Sequence, residues 1–250
     1  MVSKRVVSIA LVCTIIAAIV GCASNPHSKV DYGAARNVAA VENENGKSSI
    51  FSSCAPDMVL IHAGPMLYGP TDEKNAEHAA KDEAQRINMR AYCIDKYEWP
   101  NTAGESPTRL VTWMEAGALC SKKGKRLCTE YEFEKACRGP SGTLYTYGDG
   151  FAQKACSNAT EEYGLGQNTN CVSGFGVYDM SGGVFEWTSS SPPTGAGPDT
   201  SGLRIVRGGM SKDNPDRSSR CTYRLRFEKS VSAHEIGFRC RGALTKEEVK

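Results

Sequence analysis

Apolar residues along this chain come in short blocks separated by turn formers, so the pattern predicts brief strands and two compact helices. Met58-Val59-Leu60-Ile61 is a continuous apolar run and reads as a strand. Gly64 and Pro65 then turn the chain before Met66-Leu67-Tyr68-Gly69. From Ile87 to Ile94 apolar and polar residues alternate, which predicts another strand ending in Asp95-Lys96-Tyr97-Glu98-Trp99-Pro100. The intervening Asp72 to Gln85 is charged and weakly helical, an exposed excursion. Both helices carry their own start and stop signals. Thr112 with Glu115 spells a capping box, Trp113, Ala116 and Leu119 follow as an apolar face, and Gly124 stops the helix behind Lys122 and Lys123. Thr129 with Glu132 repeats the device, and Arg138-Gly139 closes it. Beyond Gly139 the chain is rich in Gly, Ser, Asn and Tyr, with short strands at most. The folded length suffices for one sizeable core, and no repeat or second domain is visible.

One stretch follows neither period. Gly174 to Trp187 reads Gly-Phe-Gly-Val-Tyr-Asp-Met-Ser-Gly-Gly-Val-Phe-Glu-Trp, too apolar for a solvated loop and too glycine-rich for a helix or strand. A buried loop must find partners for its peptide groups, and a hard cation is one such partner. Asp179 and Glu186 can supply carboxylates to it, with backbone carbonyls completing the shell, which points to calcium. The other reading is an irregular core loop whose two acids are solvated or paired to arginine.

The first residues form a processing segment. Lys4 and Arg5 precede an apolar run from Val6 to Val20 that is short for a membrane span, and the segment ends Ile19-Val20-Gly21-Cys22. This resembles the bacterial lipobox, which implies a signal peptide over 1–21, acylation of Cys22, and anchoring in the cell envelope, at the outer membrane. Residues 22–53 are polar and small and read as a lipidated, flexible tether. The folded domain is expected over 54–243, with a polar tail over 244–250.

The chain has 30 Lys and Arg against 28 Asp and Glu, and Lys4 and Arg5 leave with the leader, so the mature protein is balanced. That argues against a nucleic-acid partner. Arginines and lysines are nevertheless concentrated from Arg204 to Arg241, where bonding to carbonyls and carboxylates inside the fold would use them. Of the 11 cysteines, Cys13 leaves with the leader and Cys22 carries lipid. The remaining Cys54, Cys93, Cys120, Cys128, Cys137, Cys156, Cys171, Cys221 and Cys240 are odd in number, which leaves one thiol over.

Six stretches, taken in order, carry a resemblance. They are Met58 to Gly69, Cys93 to Asn101, Gly124 to Gly139, Gly174 to Trp187, Arg207-Gly208-Gly209 and Gly237-Phe238-Arg239-Cys240. Together they resemble the formylglycine-generating enzyme family, also called sulfatase-modifying factor domains, over nearly all of Cys54 to Ala243. The resemblance implies a single α+β domain that is poor in regular structure, disulfide-stabilised and C-type-lectin-like. It also implies an activity, since active members oxidise a substrate cysteine to formylglycine with oxygen and a copper ion held by two thiolates. Those thiolates follow the Arg-Gly-Gly element. Here Gly209 is followed by Met210 to Arg220 without a cysteine, and Cys221 matches the family's structural cysteine. Asp216 falls at the second copper position and Asp213 near the first. Carboxylates are hard donors and hold Cu(I) poorly, so copper and formylglycine formation are not expected.

By the same match, the family's bridges would be Cys120–Cys240 and Cys137–Cys221. Position further suggests Cys54–Cys93 and Cys156–Cys171. Cys128 stands just before the cap Thr129, where a helix dipole could activate its thiol; it could equally be buried and inert, or bridged to Cys156 or Cys171. The match assigns Asp179 and Glu186 as side-chain ligands of one calcium, with the carbonyls of Gly182 and Val184. Gly183 stands where the family favours asparagine. Asn158 and Ala159 match the beginning of a second calcium site for which no further ligand is found.

His27, His62, His78 and His234 show no metal spacing, and no nucleophile elbow exists. The function expected is therefore a non-catalytic binding or structural module. The alternative is an enzyme of the same superfamily, an oxidoreductase modifying a protein, peptide or metabolite at a site other than a copper pair. The binding face expected is the groove lined by Met210 to Arg220, with Asp213, Asp216 and Arg220 facing a peptide, protein or glycan.

Overall fold

The computed structural model describes residues 38–41, 50–69, 84–192 and 202–247. The leader, Cys22 and the charged excursion over 72–83 lie outside the described residues. The first strands are Val38–Val41 (β1), Ile50–Ser53 (β2), Met58–Ile61 (β3), Gly64–Tyr68 (β4), Gln85–Met89 (β5) and Tyr92–Asp95 (β6). Helix Trp113–Lys122 (α1), strand Arg126–Leu127 (β7) and helix Glu130–Arg138 (α2) follow. The rest comprises Phe185–Trp187 (β8), Leu203–Arg207 (β9), the short helix Pro215–Ser218 (α3), Arg224–Glu228 (β10), Ile236–Phe238 (β11), Cys240–Gly242 (β12) and Thr245–Glu247 (β13).

Two four-stranded sheets carry the domain, in the orders β10-β9-β8-β11 and β3-β6-β12-β7. Only the β8–β11 pairing is parallel; the others are antiparallel. β4 and β5 form a separate antiparallel pair. The expected strand from Ile87 to Ile94 is thus broken. β5 is paired to β4 and β6 to β3, and the chain changes partners at Arg90 and Ala91. Within the expected tether, β1 and β2 pair, and β13 from the expected tail joins β2. Val38, Val41, Ile50 and Phe51 are β-branched or aromatic, which suits them to strands.

Both helices begin where their capping boxes predict. The Thr112 and Thr129 hydroxyls accept from the Glu115 and Glu132 backbone N–H groups, and the glutamates reach back to the threonine N–H groups. The core is built where sheets and helices meet. Phe133, Ala136, Val177 and Met180 pack with Ile61, Tyr92 and Ile94, while Trp187, Val206, Ile236 and Phe238 pack with Ala116 and Leu127.

Cys120–Cys240 joins α1 to β12, and Cys137–Cys221 joins α2 to the segment after α3. Cys54–Cys93 ties the domain's entry to β6, and Cys156–Cys171 closes a short loop. In the chain-entropy account, the two long closures each restrict the unfolded chain by about 4 to 5 kcal/mol. Among the described residues no helix is long and apolar enough to cross a membrane.

α2 is unusual in burying charge. Glu134 is fully buried, accepts from Gly69 N–H at 2.9 Å and faces Arg138 at 3.3 Å. Arg207 reaches the same carboxylate through Nη2, donates to the Cys221 carbonyl at 2.6 Å, and meets Glu130 at 3.3 Å. Arg224 also holds Glu130, at 2.9 Å. This network fixes Arg207 and with it the backbone entering Gly208-Gly209.

Candidate functional site

Two loops come from the sequence as candidates, and the fold places them on either side of the diglycine. Gly174 to Trp187 runs from a glycine turn into β8. Asp179 is held at φ +64°, a conformation few non-glycine residues adopt. Its Oδ2 accepts from Gly166 N–H at 2.8 Å. Glu186, on β8, faces Arg239, which donates through Nε and Nη2 to both carboxylate oxygens at 2.7 Å. Arg239 also donates to the Tyr178 carbonyl at 2.9 Å. Glu186 is thus paired to an arginine in this structure.

A third carboxylate completes the cluster. Glu98 is fully buried and accepts from the Tyr163 hydroxyl at 2.8 and 2.7 Å. Val184 N–H donates to Glu98 Oε1 at 3.2 Å and to the Tyr163 oxygen at 3.0 Å. This explains Gly183, where the family favours asparagine. A side chain there would run into the Tyr163 hydroxyl and the Glu98 carboxylate. Burial pushes the Glu98 carboxyl well up, and neighbouring Asp179 and Glu186 push it further. Burial likewise raises Asp179 to about 6. Burial raises Glu186 too, although Arg239 opposes it.

Three buried carboxyl groups stand against one guanidinium. Burial favours their neutral forms unless a second cation, of which a hard metal ion is one kind, joins them. The donor set is sparse, however. Among the described residues no three His, Cys, Asp or Glu side chains converge as a metal-holding group. A cation bound by Asp179, Glu186 and the carbonyls of Gly182 and Val184 would have to share Glu186 with Arg239.

Asn158 and Ala159 are engaged within the protein. The Asn158 side-chain oxygen accepts from Thr160 N–H at 3.0 Å and from its hydroxyl at 2.8 Å, a local turn. The Ala159 carbonyl accepts from Arg109 Nη1 at 2.6 Å, and Arg109 also binds the carbonyls of Glu161 at 2.6 Å and His234 at 2.9 Å. A guanidinium thus gathers carbonyl oxygens there.

The second loop leaves the diglycine. Gly208 takes φ +89° with Phe133 packed against it, and a Cβ on Gly209 would stand 2.6 Å from Phe185 N. Beyond, Asn214 caps α3. Asp216 is joined to Arg220 at 2.8 Å and accepts the Tyr145 hydroxyl at 2.7 Å. Burial would raise its pKa, but the Tyr145 and Arg220 bonds outweigh that and lower it. Asp213 is exposed. The structure therefore brings Asp216 and Arg220 together.

Cys128 is the free cysteine of the described residues, and it is buried. Its sulfur lies 3.9 Å from the Arg239 carbonyl, and burial first, then Glu132 and Glu186, push its pKa well up. Cys156 and Cys171, its alternative partners, are bonded to each other. The activating dipole of α2 does not prevail over desolvation.

Sequence reasoning missed Glu98, Tyr163, Arg109 and Arg239 as site residues. Glu98 and Arg239 lie inside quoted motifs, Cys93 to Asn101 and Gly237 to Cys240. An acid and an arginine flanked by core residues were the available signal.

Comparison with known proteins follows the same stretches. Residues 99–243 match the family described as Sulfatase-modifying factor enzyme 1-like domain. The chain is 31% identical over 174 residues to the Inactive C-alpha-formylglycine-generating enzyme 2 of Mus musculus, covering 59% of this chain and 55% of that protein. It is 32% identical over 162 residues to the Formylglycine-generating enzyme of Mus musculus, covering 54% of this chain and 43% of that one. The chain thus spans about half the length of these curated relatives.

Among solved structures it resembles PvdO from Pseudomonas aeruginosa, with a TM-score of 0.58 at 20% identity, over 79% of this chain and 99% of that one. It also resembles Treponema denticola variable protein 1, with a TM-score of 0.56 at 17% identity, over 82% and 99% of the two chains. At such identities the likeness is one of fold. The ordered motifs, the disulfide-stapled α+β fold and the match over most of the described residues agree: the chain belongs to the sulfatase-modifying factor family, as a single domain of the formylglycine-generating-enzyme, C-type-lectin-like type.

Proposed function

We propose that this domain is a non-catalytic formylglycine-generating-enzyme scaffold, anchored to the bacterial envelope through lipid on Cys22 and used there as a binding or structural module. The observation that carries the reading is the fate of Asp216. It stands where the family's second copper thiolate would be, and its carboxylate is already engaged by Tyr145 and Arg220. No cysteine lies between Gly209 and Cys221, and the Cys221 sulfur is bonded to Cys137. A soft metal therefore meets hard, occupied donors. A relative whose name calls it inactive supports the same reading.

The face we assign to binding is the groove along Met210 to Arg220, with the Asp216–Arg220 pair and exposed Asp213 presenting opposite charges to a peptide, protein or glycan. Incubating the mature protein with a cysteine-bearing sulfatase peptide, copper and oxygen, followed by mass spectrometry, tests the reading. The peptide should be recovered unchanged, and conversion of its cysteine to formylglycine would reject the proposal. Metabolic labelling with a palmitate analogue tests the anchor: Cys22→Ala should abolish label.

Calcium belongs to the same proposal, as a structural ion at Asp179, Glu186 and the carbonyls of Gly182 and Val184. It would hold the Asp179 and Glu186 carboxyl groups in their ionised forms against the effect of burial. Millimolar calcium should raise the melting temperature of the wild type and leave Asp179→Ala unmoved. Equal response of both proteins would remove the ion from the account.

A further inference from the structure

Most buried cations of this fold meet a carboxylate, and Lys135 does not. Arg207 and Arg138 share Glu134, and Arg239 holds Glu186. Lys135 is 6% exposed, and among the described residues its ammonium makes one hydrogen bond, to the Gly64 carbonyl at 2.9 Å. The two remaining N–H donors have no protein partner among the described residues. Burial accordingly lowers its pKa, and no neighbouring charge opposes the shift.

The same lysine lines a cavity of about 280 Å³ between α2 and the β4–β5 pair. Arg86 of β5 and Arg138 of α2 also line it, and among the described residues no Asp or Glu does. The Arg138 fork is turned to Glu134 and to the carbonyls of Leu67 and Gly142. Exposed Arg86, directly across from Leu67 in the strand register, supplies the second charge at the rim. Met66, Leu67 and Phe175 give it apolar surface, beside Ser141 and the Gly139 to Gly142 turn. The cavity shares no lining residue with the Met210 to Arg220 groove, so its use is independent of the function proposed above.

A site lined by Lys135 of α2, Arg86 of β5 and the apolar side chains of Met66, Leu67 and Phe175, with no Asp or Glu among its described lining residues, suits an anion carried on an apolar group. The volume sits at the lower edge of small-molecule pockets, which commonly hold about 300 to 1,000 Å³. It fits one ring or short aliphatic group rather than a folded partner. We propose that this cavity binds a small organic carboxylate, with Lys135 and Arg86 taking the carboxylate and Met66, Leu67 and Phe175 its apolar remainder.

The probe is phenylacetate, with phenylacetamide as its neutral isostere, titrated by calorimetry and ligand-observed NMR against the mature full chain. Phenylacetate should bind at millimolar concentration, and phenylacetamide about tenfold or more weakly, since charge-assisted hydrogen bonds carry the difference. Lys135→Gln should lose phenylacetate about tenfold or more. Arg86→Gln, an exposed substitution that leaves the core untouched, should weaken it severalfold and keeps the test open should Lys135→Gln not fold. Equal binding of the two probes, no binding of phenylacetate, or unchanged affinity in the folded variants would each overturn the proposal.

Discussion

Arg207 is the residue whose removal reveals how the buried network of α2 is balanced. It is 1% exposed and answers the fully buried Glu134, the Glu130 carboxylate and the Cys221 carbonyl together. In Arg207→Met, Glu130 keeps Arg224, while Glu134 keeps only Arg138 at 3.3 Å and the Gly69 N–H. Leaving a buried carboxylate short of its main counter-charge costs about 3 to 5 kcal/mol. For a domain of this size that lowers the melting temperature by about 10 °C.

The pH dependence separates this account from simple loss of packing. Burial already raises the Glu134 pKa, and Arg207 heads the interactions that oppose it. Without Arg207 the folded-state pKa climbs further above its unfolded value. Such a group destabilises the fold when ionised and ceases to do so once protonated, so the deficit should shrink as pH falls from 7 toward 4.5. Denaturant unfolding with disulfides intact, at pH 7 and pH 5, measures it. Arg207→Met combined with Glu134→Gln should recover more than half of the loss, because the amide keeps the Gly69 bond without the charge. A single-variant cost below about 1 kcal/mol, a pH-independent deficit or simple additivity would refute the reasoning.

Glu132→Gln should cost about 1 to 2 kcal/mol at pH 7, because the carboxylate closes a capping box and holds Arg126. Burial opposes ionisation there, but Arg126 and the Thr129 N–H prevail and lower the pKa. That stabilisation should be complete above about pH 4.5 and lost as pH falls through the lowered value, so wild type and variant should converge in acid unfolding. Native Cys128 should resist a maleimide reagent at pH 8 and react once the chain is unfolded; rapid native labelling would contradict its burial. Gly209→Ala should destabilise by at least about 3 kcal/mol in thermal unfolding, because its methyl meets the backbone nitrogen of Phe185.

The parts legible in sequence were those written locally. Thr112 and Glu115, or Thr129 and Glu132, are three residues apart and need no tertiary partner to declare a helix start. The Met58 to Ile61 run likewise declared itself by burial on all positions. What failed to show was partner choice. The alternation stops at Arg90, and Ala91 to Ile94 is a continuous apolar run buried at every β6 position. A single strand read through to Ile94 passes over that change of pattern, and which strand each half pairs with is not written in either half. Glu186 was visible as a candidate, yet whether it meets a metal or an arginine depends on residue 239, which only the parallel β8–β11 pairing brings alongside. Arg109 and the carbonyls it gathers are separated by 50 residues or more, beyond the reach of any spacing rule.

The pairing of the cysteines makes both helices depend on residues far downstream of them. Cys120 and Cys137 belong to helices completed early, while their mates sit 120 and 84 residues downstream. During synthesis each first encounters a nearer wrong sulfur, since Cys128 lies between them in the chain. Were the bridges to form by oxidation during synthesis, pairing before residues 221 and 240 emerge would give mispaired forms, and a catalyst that reshuffles bridges would then raise the yield of native protein.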